Sequence, residues 1–275
     1  MTRKALLVGV TYSKTEYALP GCINDIMKIA KFLEPTFSKI IIMHDDLGLN
    51  DRLYPSRNNV LTTLYHMVRG LQDGDQFYLH FSGHGFYIAE GNAVTAAGAT
   101  ISSNSTQCIL LRNSDTKKLD DIHEANSLCD EQIVRIFDHV PDAAKVFVTV
   151  DACAAGNVFD LRYILQLISG DKEKAEYSMV ERHSRELNKN VAILTAVKKD
   201  KYAWDSAAGN GKSFGVFTNY FIDVLIDLRK TNRTATLLDM LYATSKYCTA
   251  RENKQDPQLS VAWKEMCEEI LFLTQ

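Results

Sequence analysis

The chain has 275 residues, 46% of them hydrophobic, with 12 Tyr and 12 Phe, which excludes a disordered chain and supplies a full core. Its formal charge of −3 and the lack of an extended basic run argue against a nucleic-acid partner. The apolar run Ala5–Val10 near the start is too short for a secretory signal or a membrane span, so no membrane association is expected.

In chain order, Ala5–Val10 reads as a first strand, followed by a helix over Asn24–Leu33 with Ile26, Ile29, Ala30 and Leu33 on one face. Lys39–Met43 is a second strand, and Asn58–Leu71 a helix carrying Val60, Leu61, Leu64, Met67, Val68 and Leu71. Gln76–Phe81 is a third strand. The polar stretch from Glu90 to Ser127 reads as loop with room for a short hairpin. Glu131–Val140 has helical spacing, and Lys145–Val150 and Val191–Val197 are further strands. The charged stretch from Ser169 to Asn190 between them is expected to be a linker, helical in part. Gly215–Leu228 is a helix, and Ile270–Thr274 a last strand, antiparallel at the sheet edge. Most strands are continuous apolar runs without alternation, as expected where both faces are covered. The pattern predicts one α/β domain over residues 1–275, with a six-stranded, mostly parallel sheet flanked by helices.

Cys22, Cys108, Cys129, Cys153, Cys248 and Cys267 include no Cys-x-x-Cys pair. That spacing predicts neither a disulfide framework nor a zinc motif, and makes the cytoplasm the expected compartment.

The third strand ends in Ser82-Gly83-His84-Gly85, and the fourth in Asp151-Ala152-Cys153-Ala154-Ala155-Gly156. The first is followed by a loop ending in Gly21-Cys22-Ile23-Asn24-Asp25, which opens a helix. Functional groups gather beyond the carboxyl ends of parallel strands, so a His and a Cys at two such ends can face each other. An imidazole beside a thiol draws it toward the nucleophilic thiolate. From pattern alone, a core histidine and a buried cysteine outweigh a catalytic pair.

His80-Phe81-Ser82-Gly83-His84-Gly85 after an apolar strand resembles the histidine motif of metacaspases and caspases. Asp151-Ala152-Cys153 with Gly156 resembles the nucleophile motif, and Gly21–Asp25 the opening motif of that family. Gly215-Val216-Phe217-Thr218 and Pro257-Gln258-Leu259-Ser260 are similar to its small-subunit and closing segments. Five motifs in order over nearly the whole chain make the resemblance specific. It implies a caspase-like sandwich, large-subunit-like over 1–168, linker-like over 169–190 and small-subunit-like over 191–275, with no prodomain.

The resemblance also implies roles. His84 would be the general base and Cys153 the nucleophile, with the backbone amides of Gly85 and Cys153 holding the oxyanion. Asp25 and Asp151 would form an acidic primary pocket for substrates with Arg or Lys at the cleavage site. Asp115, Asp130, Glu131 and Asp160 would hold a calcium ion. A monomer acting in programmed cell death is the corresponding expectation. Two features depart from the pattern: Ala154-Ala155 stands where the family has His-Ser, and the Asp115 region aligns poorly. Lys172, Lys174, Arg182, Arg185 and Lys189 in the linker offer sites for self-cleavage. Gly209-Asn210-Gly211-Lys212-Ser213 is similar to the tail of a P-loop, but Ser206 stands where that motif requires glycine. Three readings are open: a calcium-triggered endopeptidase, a caspase-like effector switched by another ligand or partner in microbial defence or cell death, and a non-catalytic scaffold.

Overall fold

The apolar runs lie in a sheet whose strands are covered on both sides. A computed structural model of the protein describes residues 1–88, 94–95, 106–112, 126–153, 155–156, 159, 161–169, 176–181, 187–197, 203, 205–207, 213–249 and 255–275. In chain order these form β1 (Arg3–Gly9), α1 (Cys22–Leu33), β2 (Lys39–His44), α2 (Arg57–Arg69), β3 (Gln76–Ser82), β4 (Gly85–Ile88), β5 (Val94–Thr95), β6 (Thr106–Leu110) and β7 (Ser127–Cys129). Next come α3 (Asp130–Phe137), β8 (Lys145–Asp151), β9 (Tyr163–Ser169), β10 (Glu176–Glu181), β11 (Val191–Thr195), β12 (Asp205–Ala207) and β13 (Ser213–Gly215). α4 (Val216–Lys230), α5 (Leu237–Thr249) and β14 (Gln258–Val261) complete the series.

The main sheet has the order β10-β9-β14-β11-β8-β3-β1-β2. The five strands from β11 to β2 are parallel, and β14, β9 and β10 extend it antiparallel. Successive side chains on one strand enter different cores. Leu6, Val8, Val146 and Val148 pack on the α2 and α3 side, whereas Ala5, Leu7, Phe147 and Ala192 pack against α1, α4 and α5. That is why the runs show no alternation. Among the described residues, no helix is long and apolar enough to cross a membrane.

The structure corrects several expectations. The sheet has eight strands rather than six, because β9 and β10 form a hairpin on its edge. Within the 169–190 stretch, Glu176–Glu181 is therefore a strand where partial helix was expected. Ile270–Thr274 is not the last strand. Leu271, Phe272 and Leu273 are all buried, so both sides of this segment are packed, and Phe272–Thr274 winds into a 3-10 turn. The antiparallel partner of β11 is instead Gln258–Val261.

The stretch after Glu90 holds strands of a second, four-stranded sheet in the order β5-β4-β6-β7. Within it Cys108 and Cys129 form a disulfide, against the expectation of none. Leu111 N–H donates to the Asn126 carbonyl, so alternation makes Cys108 and Cys129 a non-hydrogen-bonded pair, whose Cα atoms stand 4.2 Å apart. Cysteine spacing along the chain does not encode such a pairing across strands.

Candidate active site

β1, β3 and β8 end level with one another, Gly9 beside Ser82 and Ser82 beside Asp151. The segments leaving these three strands therefore meet at one edge of the sheet. Gly83 N–H donates to the Asp151 carbonyl at 3.1 Å, tying the turn after β3 to the end of β8. One residue after His84, a Cβ on Gly85 would lie 2.0 Å from the Cys153 carbonyl oxygen, a space only glycine can occupy. His84 and Cys153 thus sit on touching backbone segments. Leu110 N–H donates to the His84 carbonyl at 2.9 Å, and the antiparallel alternation then turns Gly85 N–H away from β6.

His84 Nε2 lies 2.8 Å from the Tyr17 carbonyl. A carbonyl only accepts, so Nε2 carries the proton and Nδ1 is left as the basic nitrogen. The imidazole packs against the Tyr12 ring at 4.7 Å and meets the edge of Tyr17 at 6.2 Å between centroids. Cys153 is partly exposed, while Cys22, Cys248 and Cys267 are buried. Burial, with Asp151 adding to it, pushes the Cys248 thiol up to about 12, and burial pushes Cys267 up to about 11. Those two are inert at neutral pH, and Cys153 is the accessible thiol among the described free cysteines. Ala203 N–H donates to its Sγ at 3.3 Å, and the thiol lies 3.7 Å from the Ala203 carbonyl.

Asp25 and Asp151 are both buried and converge on the start of α4. Asp25 accepts from Ser82 Oγ at 2.7 Å and from Gly215 N–H at 2.9 Å. Asp151 accepts from Thr218 N–H at 3.0 Å and from its hydroxyl at 2.7 Å. The positive end of the α4 dipole thus faces two carboxylates. Among the described residues, Ser82, Gly215 and Thr218 join this cluster. The sequence shows them as motif members, but not as partners of the two acids.

The other expected site residues are less well placed together. Asp130 and Glu131 open α3, where Asp130 accepts from Glu131 N–H at 2.7 Å and Glu131 pairs with Arg135 at 3.4 Å. Asp115 and Asp160 lie outside the described residues, as do Ala154, the linker residues Lys172, Lys174, Arg182 and Arg185, and most of the P-loop-like segment. Lys189 is described and pairs with Asp142. Among the described residues no group of three or more His, Cys, Asp or Glu side chains is placed to hold a metal.

The chain is similar to several known proteins. The chain is 29% identical over 175 residues to Metacaspase-1 of Mycosarcoma maydis, covering 62% of this chain and 40% of that protein. It is 22% identical to Metacaspase-3 of Trypanosoma brucei brucei, covering 100% of this chain and 75% of the relative. Among solved structures, a Geobacter sulfurreducens protein superposes with a TM-score of 0.65 at 14% identity, covering 98% of this chain and 97% of that one. Caspase-1 of Spodoptera frugiperda gives 0.56 at 10% identity over 99% and 88% of the two chains, so the fold is caspase-like. The family described as "Metacaspase, peptidase C14 domain" matches residues 3–162, and the chain belongs to it.

Proposed function

We propose that the protein is a cysteine endopeptidase that cleaves after Arg or Lys through Cys153 and His84. The observation that carries this reading is the pair of buried carboxylates, Asp25 and Asp151, beside the segments that bear the thiol and the imidazole. Two buried anions brought together at one helix start favour a guanidinium or ammonium group, which gains charge-assisted hydrogen bonds there. Nδ1 of His84 takes the thiol proton, and Sγ of Cys153 attacks the scissile carbonyl. The carbonyl oxygen gains negative charge, which the Gly85 and Cys153 N–H groups stabilise. His84 then returns the proton to the leaving amine, and water hydrolyses the thioester.

Calcium is part of the proposal. Asp130 and Glu131 supply hard oxygen donors of the type calcium takes, and Asp115 and Asp160 would complete the set. When bound, the ion would supply fixed positive charge to these carboxylates. A monomer and a role in programmed cell death are proposed with it.

The test is hydrolysis of matched fluorogenic peptides ending in Arg, Lys or Asp, in calcium and in chelator. Cleavage after Arg and Lys but not Asp, abolished in Cys153→Ala, is the expected result. Equal rates in calcium and chelator would remove the calcium trigger and leave the dyad. No cleavage in any arm would overturn the peptidase reading.

A further inference from the structure

The loop between β1 and α1 contains two residues in the left-handed region, Tyr12 with φ of 51° and Lys14 with φ of 68°. Neither is glycine, and such conformations cost on the order of 1–3 kcal/mol and persist where surrounding structure holds them. Here the hold is visible. Asp45, just beyond β2, accepts from Thr11 N–H at 2.8 Å and Thr11 Oγ1 at 2.9 Å through Oδ1, and from Tyr12 N–H at 2.8 Å through Oδ2. The Tyr12 carbonyl accepts from the Thr15 hydroxyl at 2.7 Å, and Thr15 Oγ1 in turn accepts from Tyr17 N–H at 3.1 Å.

What this conformation achieves is to aim a whole residue at His84. The Tyr12 hydroxyl accepts from His84 N–H at 2.9 Å and donates to the Leu110 carbonyl at 2.7 Å. Its ring lies 4.7 Å from the imidazole, tilted by 39°. The same loop presents the Tyr17 carbonyl to Nε2. Backbone, ring face and ring nitrogen of the base are thus all held from one short loop, which a single carboxylate pins in place. Tyr12 is 2% exposed, and burial raises its phenol well above the usual tyrosine range, so it stays neutral and takes no part in proton transfer.

We propose that Tyr12, fixed by Asp45, is a positioning residue for the His84 base. This inference rests on the dyad reading above. A side chain that merely filled the core would need neither the strained backbone nor a hydroxyl bonded on both sides to the strand ends around His84.

The experiment uses the full chain with Tyr12→Phe, which keeps the ring and removes the hydroxyl, and with Thr15→Val as a second variant that loosens the Tyr17 segment. His84→Ala is the reference. Alkylation of Cys153 by iodoacetamide is followed against pH by mass spectrometry of the Cys153 peptide, alongside kcat and KM on an Arg peptide and thermal unfolding. Loss of alignment at this scale is expected to lower kcat about tenfold in Tyr12→Phe with KM unchanged. Its alkylation profile should move toward that of His84→Ala, and Thr15→Val should move the same way by less. Wild-type kcat and an unmoved profile in both folded variants, with only the melting temperature lowered, would overturn the proposal. If His84→Ala itself leaves the profile unchanged, the dyad reading fails and the inference falls with it. If His84→Ala shifts the profile and neither variant does, only the role of Tyr12 is lost.

Discussion

Gly215 stands at the most crowded point of the acidic cluster. A methyl group there would come within 2.1 Å of Asp151 Oδ2 and 2.9 Å of Asp25 Oδ2. Gly215→Ala is therefore expected to displace the carboxylates and suppress Arg cleavage, while Asp25→Asn removes charge at constant shape. Losing a charged hydrogen-bond acceptor costs roughly 1.5–3 kcal/mol, or about 10- to 100-fold in kcat/KM. Asp25→Asn should keep iodoacetamide reactivity at Cys153, since Asp25 stands on α1 while the thiol follows β8 and His84 follows β3. Full activity of Asp25→Asn on Arg peptides would show that the pocket does not read charge. The sequence makes His84, Cys153 and Asp151 legible because they sit in short motifs at strand ends, and Asp25 because its motif opens a helix. The carbonyl of Tyr17 and the hydroxyl of Tyr12 are not legible in that way. A backbone oxygen has no sequence signature, and a tyrosine in a loop carries no sign of its φ.

Between β3 and β8 runs a buried polar ladder. Tyr78 and Thr149 hydroxyls lie 2.6 Å apart, and Thr149 Oγ1 lies 2.7 Å from His80 Nδ1. Burial lowers the His80 imidazole from 6.5 to about 3, so it is neutral in the fold and its Nε2 has no partner among the described residues. The unfolded chain binds a proton there that the folded chain refuses. Stability contributed by neutral His80 is thus whole above about pH 6.5 and is lost as pH falls toward 3. Unfolding followed against pH should show a slope approaching about 1.4 kcal/mol per pH unit across that window, and His80→Leu should flatten it. An equal slope in the variant would assign the acid sensitivity to other groups. At this scale the long apolar strands and the helices with a clear apolar face were readable, because burial on two faces or one leaves a plain pattern. The β9–β10 hairpin was not, since Ile168, Met179 and Val180 face solvent at an open edge and blur the alternation. Nor was α5, whose Leu237–Thr249 mixes polar residues into its buried face. The apolar run at Ile270 misled for a different reason, since Leu271, Phe272 and Leu273 are all buried in one core while Ile270, 45% exposed, makes only an isolated bridge to Thr236.

Across the whole molecule, the chain order and the order of strands in the sheet do not coincide. β11 and β14, from the last third of the chain, lie between β8 and β9, from the middle. A cut at Arg182 or Arg185 would therefore separate two pieces joined along two hydrogen-bonded seams, β8 to β11 and β14 to β9. Limited trypsin treatment is expected to give two bands on a denaturing gel from material that still elutes from gel filtration at the size of the intact chain. Separation of the pieces under native conditions would contradict the interleaving. The severed protein would be a heterodimer by construction, with Asp25 and Asp151 on one polypeptide, Gly215 and Thr218 on the other, and the acidic pocket existing only while the two stay interlocked.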